Sequence, residues 1–147
     1  MSVVAWDGKT IAADKRSVCA GAHFTTTKIR KIKRPDRIPE VLAWTGDQDS
    51  GEMMAQWYES GADPAAFPEC QKDKDAWARL IVVDANGCRF YERQPVAVRV
   101  ENKFCAWGSG RDFALAAMYL GGTAYQAVVL TSVLSTDCGN GVDSYDL

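Results

Sequence analysis

Few side chains in this sequence stand where their types and spacing could do chemistry. The five cysteines, Cys19, Cys70, Cys88, Cys105 and Cys138, are odd in number and widely spaced. They contain no C-x-x-C pair, so neither a zinc site nor a disulfide framework is expected. His23, the only histidine, has no carboxylate or cysteine at ligand spacing, which predicts a surface or packing role and no metal. The basic run Lys28, Arg30, Lys31, Lys33, Arg34 is interrupted by Ile29 and Ile32 and reads first as a strand with solvated charges. The start Met1-Ser2 offers a hydroxyl at the second residue. A serine hydroxyl is a weak nucleophile until a base takes its proton. An α-amine, with a reference pKa of about 7.7–8.0, can be that base at neutral pH. Removal of Met1, which a small second residue permits, would place nucleophile and base on the single residue Ser2.

Positioning such groups needs a packed frame, and 147 residues with 47% hydrophobic content suffice for one domain over 1–147. Seventeen basic against nineteen acidic residues give a formal charge of -2, which disfavours a nucleic-acid partner. No apolar run approaches the ~18 residues of a membrane span, and the start lacks the basic region of a signal peptide. No membrane partner and a cytoplasmic location are therefore expected.

Along the chain, Val3 to Trp6 and Thr10 to Ala13 flank Asp7-Gly8-Lys9 and predict a hairpin. Thr25 to Ile32 and Val41 to Trp44 read as strands. From Asp47 to Ser60 the period becomes helical, with Gly61 as its stop, and Gly61 to Asp75 reads as an irregular connection or a frayed helix. Leu80 to Asp84 and Cys88 to Glu92 flank Asn86-Gly87, followed by strands over Val96 to Val100 and Phe104 to Trp107. Helices follow over Asp112 to Leu120 and from Thr123 or Ala124 to Leu134, and Val142 to Leu147 could return as a strand. Strands, helix, strands, two helices and a strand, without βαβ alternation, fit an α+β fold. The pattern itself leaves open two sheets between helical layers or one sheet covered on one face.

Read together and in order, several segments resemble proteasome β-subunits and the bacterial peptidase HslV, which are N-terminal-nucleophile hydrolases. They are Ser2 to Lys9, Ile11-Ala12-Ala13-Asp14, Thr27 to Lys31, Val41 to Gly46, Trp107 to Leu115, and Asp137 to Asp143. The compact form looks closest to proteasome-like proteins of phages and bacteria, which would place it in a host cytoplasm if phage-encoded. The resemblance implies a four-layer αββα sandwich of two antiparallel sheets between helices. It implies cleavage of peptide amides by Ser2, without cofactor, inside a homo-oligomeric ring. An ATPase unfoldase is the further partner that the HslV likeness raises.

The same resemblance assigns roles. Lys28 looks like the active-site lysine, held by Asp14, whose ammonium favours the deprotonated nucleophile. Ser109 resembles the serine that hydrogen-bonds the N-terminal amine, and Asp137 the acid that orients this serine. Gly46 aligns with the oxyanion-binding backbone N–H. Trp44 falls at the base of the specificity pocket, which an indole would shorten in favour of small side chains. Two positions depart from the pattern. Ser2 stands where most relatives have threonine, and Asn140 stands where a serine contacts the amine, an amide carbonyl replacing the hydroxyl. Two other readings stay open: a catalytically inactive ring or assembly protein, and an amidase for a small non-peptide amide.

Overall fold

The computed structural model describes residues 2–147. Eleven strands and three α-helices are present among them. Strands β1 (Val4–Trp6), β2 (Thr10–Asp14), β10 (Cys105–Trp107) and β11 (Val142–Asp146) form an antiparallel sheet in the order β10-β1-β2-β11. A second antiparallel sheet contains β5 (Ile29–Ile32), β6 (Glu40–Gly46), β7 (Ala78–Asp84), β8 (Gly87–Tyr91) and β9 (Val98–Val100) in sequence order. Helix α1 (Gln48–Glu59) covers one outer face, and α2 (Arg111–Tyr119) with α3 (Ala124–Leu134) covers the other.

Alternation along the strands explains the four layers. Val4, Trp6, Ile11 and Ala13 of the first sheet meet Ile29, Val41, Ala43, Ile81 and Val83 of the second in the inter-sheet core. The intervening Ala5 and Ala12 face α2 and α3, where Ala114, Ala124 and Ala127 allow close approach. Leu42, Trp44, Leu80 and Val82 turn outward under α1, against Met54, Ala55 and Trp57. The αββα sandwich is therefore the observed architecture, and the one-sheet alternative is set aside.

Local signals account for the helix ends. Asp47 caps α1 by accepting the Ser50 N–H at 2.9 Å. After Glu59 the Gly61 N–H reaches the Tyr58 carbonyl at 3.1 Å and the Ala62 N–H reaches that of Trp57 at 3.0 Å. This closes a Schellman motif, with Gly61 at φ +113°. Thr123 and Gln126 form a capping box on α3.

Three expectations change. Thr25 to Ile32 is not one strand: β3 (Arg16–Cys19) and β4 (Ala22–Thr25) form a separate hairpin, and β5 starts at Ile29. Ala20 and Gly21 make its turn at φ +49° and +80°, the left-handed pair a two-residue hairpin needs. The β7–β8 turn falls on Ala85-Asn86, one residue earlier than Asn86-Gly87, because Asp84 pairs with Gly87. The stretch after α1 is ordered by two 3-10 turns, Pro64–Ala66 and Glu69–Lys72.

Candidate active site

A cleft of about 430 Å³ opens at one end of the sandwich, lined by Ser2, Gly46, Gly108, Ser109, Asp47, Asp75, Trp77 and Arg79 among others. Ser2 precedes β1 and is 2% exposed. Its backbone N–H donates to Ser109 Oγ at 3.2 Å, and its carbonyl accepts the Gly110 N–H at 3.1 Å. The Ser2 Oγ is buried and has no hydrogen-bond partner among the described residues. Gly108 makes this arrangement fit, since a Cβ there would lie 2.2 Å from the Ser2 carbonyl oxygen.

One residue along the chain, Val3 is tied to a buried ion pair. Lys28 Nζ donates to Asp14 Oδ1 at 2.9 Å, with side-chain exposures of 4% and 0%. Asp14 Oδ1 also accepts the Val3 N–H at 3.0 Å, and Oδ2 accepts the N–H groups of Arg16 at 3.2 Å and Gly139 at 3.1 Å. Four donors thus surround one carboxylate, filling its acceptor capacity. Lys28 stands just before β5, and its carbonyl accepts the Trp44 N–H at 3.1 Å, which anchors it to β6. The solvated-strand reading of the basic run fails at Lys28 and holds for the exposed Lys31.

Gly46 ends β6 at φ +104°, and a Cβ there would lie 2.5 Å from the Trp77 carbonyl. Its backbone N–H has no partner among the described residues, for a reason visible in the register. The Trp44 N–H points towards β5, while the Asp47 N–H points towards β7 and meets the Trp77 carbonyl at 3.1 Å. Alternation aims the Gly46 N–H towards the β5 side, beyond the end of that strand. Ala78, its cross-strand partner, spends its own N–H and C=O on the Gln71 side chain at 3.0 and 2.7 Å. The Gly46 donor is thus left facing the cleft in which Ser2 stands.

Ser2, Gly46 and Ser109 share the cleft, and the Asp14–Lys28 pair is joined to this region through the Val3 N–H, but three expected residues are elsewhere. Asp137 lies in the turn after α3, where its N–H meets Ser135 Oγ at 3.2 Å, and no hydrogen bond joins its carboxylate to Ser109 among the described residues. Asn140, exposed and at φ +62°, accepts from Arg16 Nε at 3.0 Å and donates to Thr25 Oγ1 at 3.2 Å, so its amide does not contact the Ser2 nitrogen. Trp44 does not line the cleft. Its indole is 1% exposed beneath α1, against Gly51, with Nε1 unpartnered among the described residues.

Arg16, Trp77 and Arg79 carry no signal in the sequence. Arg16 fastens the 136–140 turn by donating to the Thr136 carbonyl at 2.6 Å as well as to Asn140. Trp77 and Arg79 reach the cleft only through the β6–β7 register, a long-range fact with no local trace.

No family model matches the chain, and no curated protein matches it. Solved structures do. Thiobacillus denitrificans BPH in complex with epoxomicin superposes with a TM-score of 0.73 at 19% identity, covering 100% of this chain and 98% of that one. Eukaryotic HslV from Trypanosoma brucei gives 0.69 at 19% identity, covering 99% and 98%. The fold is that of the HslV- and proteasome-like hydrolases. The Anbu complex from Pseudomonas aeruginosa, described as a helical assembly, shares this HslV-like fold at a TM-score of 0.73 and 13% identity, covering 100% of this chain and 81% of that one.

Proposed function

We propose that the chain is an N-terminal-serine peptidase of HslV-like fold. With Met1 removed, the Ser2 α-amine takes the proton of Oγ, directly or through one water, as Oγ attacks a peptide carbonyl carbon. The developing oxyanion receives the Gly46 N–H. Collapse expels the amine half of the substrate, which takes the proton back from the α-ammonium. Water, deprotonated by the same amine, then attacks the ester on Ser2, the acid product leaves, and the expelled Oγ takes the proton back from the α-ammonium. Ser109 Oγ holds the Ser2 nitrogen, and the Lys28 ammonium supplies positive potential beneath the nucleophile.

The observation that carries this reading is the Asp14 carboxylate, which binds Lys28 and the Val3 N–H through a single oxygen, one residue from Ser2. A buried ion pair costs desolvation and is weak as a source of stability. A role at the adjacent hydroxyl, which has no partner among the described residues, accounts for that cost.

Exposed apolar side chains at the end of α2 and on α3, Tyr119, the C-cap Leu120, Val133 and Leu134, support a homo-oligomer, the ring being the form in which they and the cleft would both be sheltered. Among the described residues no helix is long and apolar enough to cross a membrane; a cytoplasmic location is proposed separately, from the likeness in fold to HslV.

Intact mass followed by peptide-hydrolysis assays tests the reading. Loss of Met1, hydrolysis of short peptide amides and inhibition by epoxomicin are expected. A retained Met1 with no hydrolysis overturns it in favour of an inactive assembly protein. Sedimentation as a monomer at micromolar concentration overturns the oligomer.

A further inference from the structure

One cationic side chain in the cleft is more precisely held than the peptidase mechanism requires. Arg79 is the second residue of β7 and is paired with Thr45 across the β6 ladder. Ile81 and Val83, on the same face of β7, point into the inter-sheet core. Arg79 therefore projects between the sheets at the open end, where the cleft containing Ser2, Gly46 and Ser109 begins.

Its guanidinium is fixed on two sides. Nε and Nη2 both donate to Glu92 Oε1, at 2.8 and 2.5 Å. The guanidinium carbon lies 5.6 Å from the Trp77 ring centre and 5.8 Å from that of Phe90. Nη1 has no hydrogen-bond partner among the described residues, and the side chain is 27% exposed. Arg93, which also lies over Trp77, donates instead to the carbonyls of Gln71, Lys72 and Asp73. Of the acids lining the cleft, Asp47 is engaged as the α1 cap and Asp75 is exposed, where solvent and salt screen it.

We propose that Arg79 binds a substrate carboxylate, so that the cleft selects peptides carrying one close to the scissile amide, as an acidic side chain or as the chain terminus. An arginine whose rotamer is already locked between rings and a carboxylate loses little freedom on binding, and its open edge suits the planar geometry of a second carboxylate. This inference rests on the peptidase reading for its substrate, although binding tests it without turnover.

The experiment titrates Ser2→Ala protein with short peptide pairs that differ in one group: Glu against Gln, and a free against an amidated C-terminus. Tighter binding of one carboxylate member, by about ten-fold, is expected, and the pair that shows it identifies the source of the group. Arg79→Gln should erase the difference and leave the affinity of the neutral members unchanged. Glu92→Gln keeps an acceptor for Arg79 but removes the competing charge, and should widen the difference. Thermal unfolding of each variant confirms that it is folded. Equal affinities for both members of every pair, or a preference that survives in folded Arg79→Gln, overturn the proposal. A preference in Ser2→Ala protein alongside a parent that hydrolyses nothing would keep the Arg79 site and reject the peptidase reading.

Discussion

Lys28 Nζ and Asp14 Oδ1 meet at 2.9 Å with neither side chain more than 4% exposed, and this is the only bond Lys28 Nζ makes among the described residues. The carboxylate is saturated by four donors, whereas the ammonium has two N–H groups to spare. Asp14 thereby ties together the start of β1, the β2–β3 junction and the turn at Gly139. The pair is a structural node one residue along the chain from the proposed nucleophile.

Replacing Lys28 should therefore be costly twice over. Lys28→Met leaves a buried carboxylate without its counter-ion and is expected to lower unfolding stability by about 3–5 kcal/mol. Peptide hydrolysis should fall at least ~100-fold, the scale of a lost positioned charge. Lys28→Arg keeps the charge, but its planar fork does not replace a compact ammonium, so activity should stay low. Urea melts and kinetics on the same samples check this, and unchanged kinetics in Lys28→Met would make Lys28 purely structural.

Ser2→Ala should abolish hydrolysis without changing the melting midpoint, because Ser2 Oγ makes no hydrogen bond among the described residues. Ser2→Thr keeps the hydroxyl and restricts χ1, so the rate should be retained or raised. Residual turnover in Ser2→Ala above that of buffer would locate the nucleophile elsewhere.

Gly46→Ala forces a side chain into φ +104° and brings Cβ to 2.5 Å from the Trp77 carbonyl. The β6 end must shift, taking the spare N–H with it. A loss of kcat of about 100-fold or more, with KM less affected, is expected for a misplaced oxyanion donor. Equal kcat in parent and variant would remove Gly46 from the chemistry.

Much of this arrangement is legible in the order of the residues alone. Asp7-Gly8, the helical period after Asp47 and the glycines at 61 and 121 are local signals, and local structure follows them. The β3–β4 hairpin escapes such a reading because its turn is Ala20-Gly21, which lacks the Asn-Gly or Asp-Gly signature. Ser2, Gly46 and Ser109 converge because they lie where chain segments meet at one end of the sandwich. Asp137 and Asn140 do not join them, since the turn is held through the Gly139 N–H and Arg16, a long-range contact with no local trace. Arg79 is invisible in the sequence for the same reason, its meaning depending on the register of β6, β7 and β8.

At the other end of β6, burial pushes the Tyr58 hydroxyl up to about 12, its hydrogen bond to Glu40 adding to this. In the unfolded chain the group titrates near ~10. Because the folded value is the higher, the stabilising effect of neutral Tyr58 is fully present below pH ~10 and is lost as pH rises from there to about 12. Denaturation midpoints measured across this window should fall less steeply for Tyr58→Phe than for the parent. Parallel curves would show that the hydroxyl is not what couples this region to pH.

Trp44 offers the sharpest test of where a sequence-derived specificity reading and the observed packing part. A Cβ on Gly51 would lie 2.1 Å from the indole Cδ1 and 2.6 Å from Cγ, so Gly51 in α1 is the hole into which the ring fits. Helix propensity alone would make Gly51→Ala favourable by about 1 kcal/mol. Overpacking against a ring wedged between helix and sheet opposes it by about 1–3 kcal/mol or more, and the net expectation is destabilisation. Trp44→Phe shrinks the ring and removes the unpartnered Nε1–H, so Gly51→Ala should cost less in that background. A double-mutant cycle in urea reads this coupling directly. The same Trp44→Phe protein should show the parent's peptide-library profile at the residue before the scissile bond, since the indole does not line the cleft. A profile that shifts from small to large side chains, with no coupling to Gly51, would instead return Trp44 to the floor of the substrate pocket.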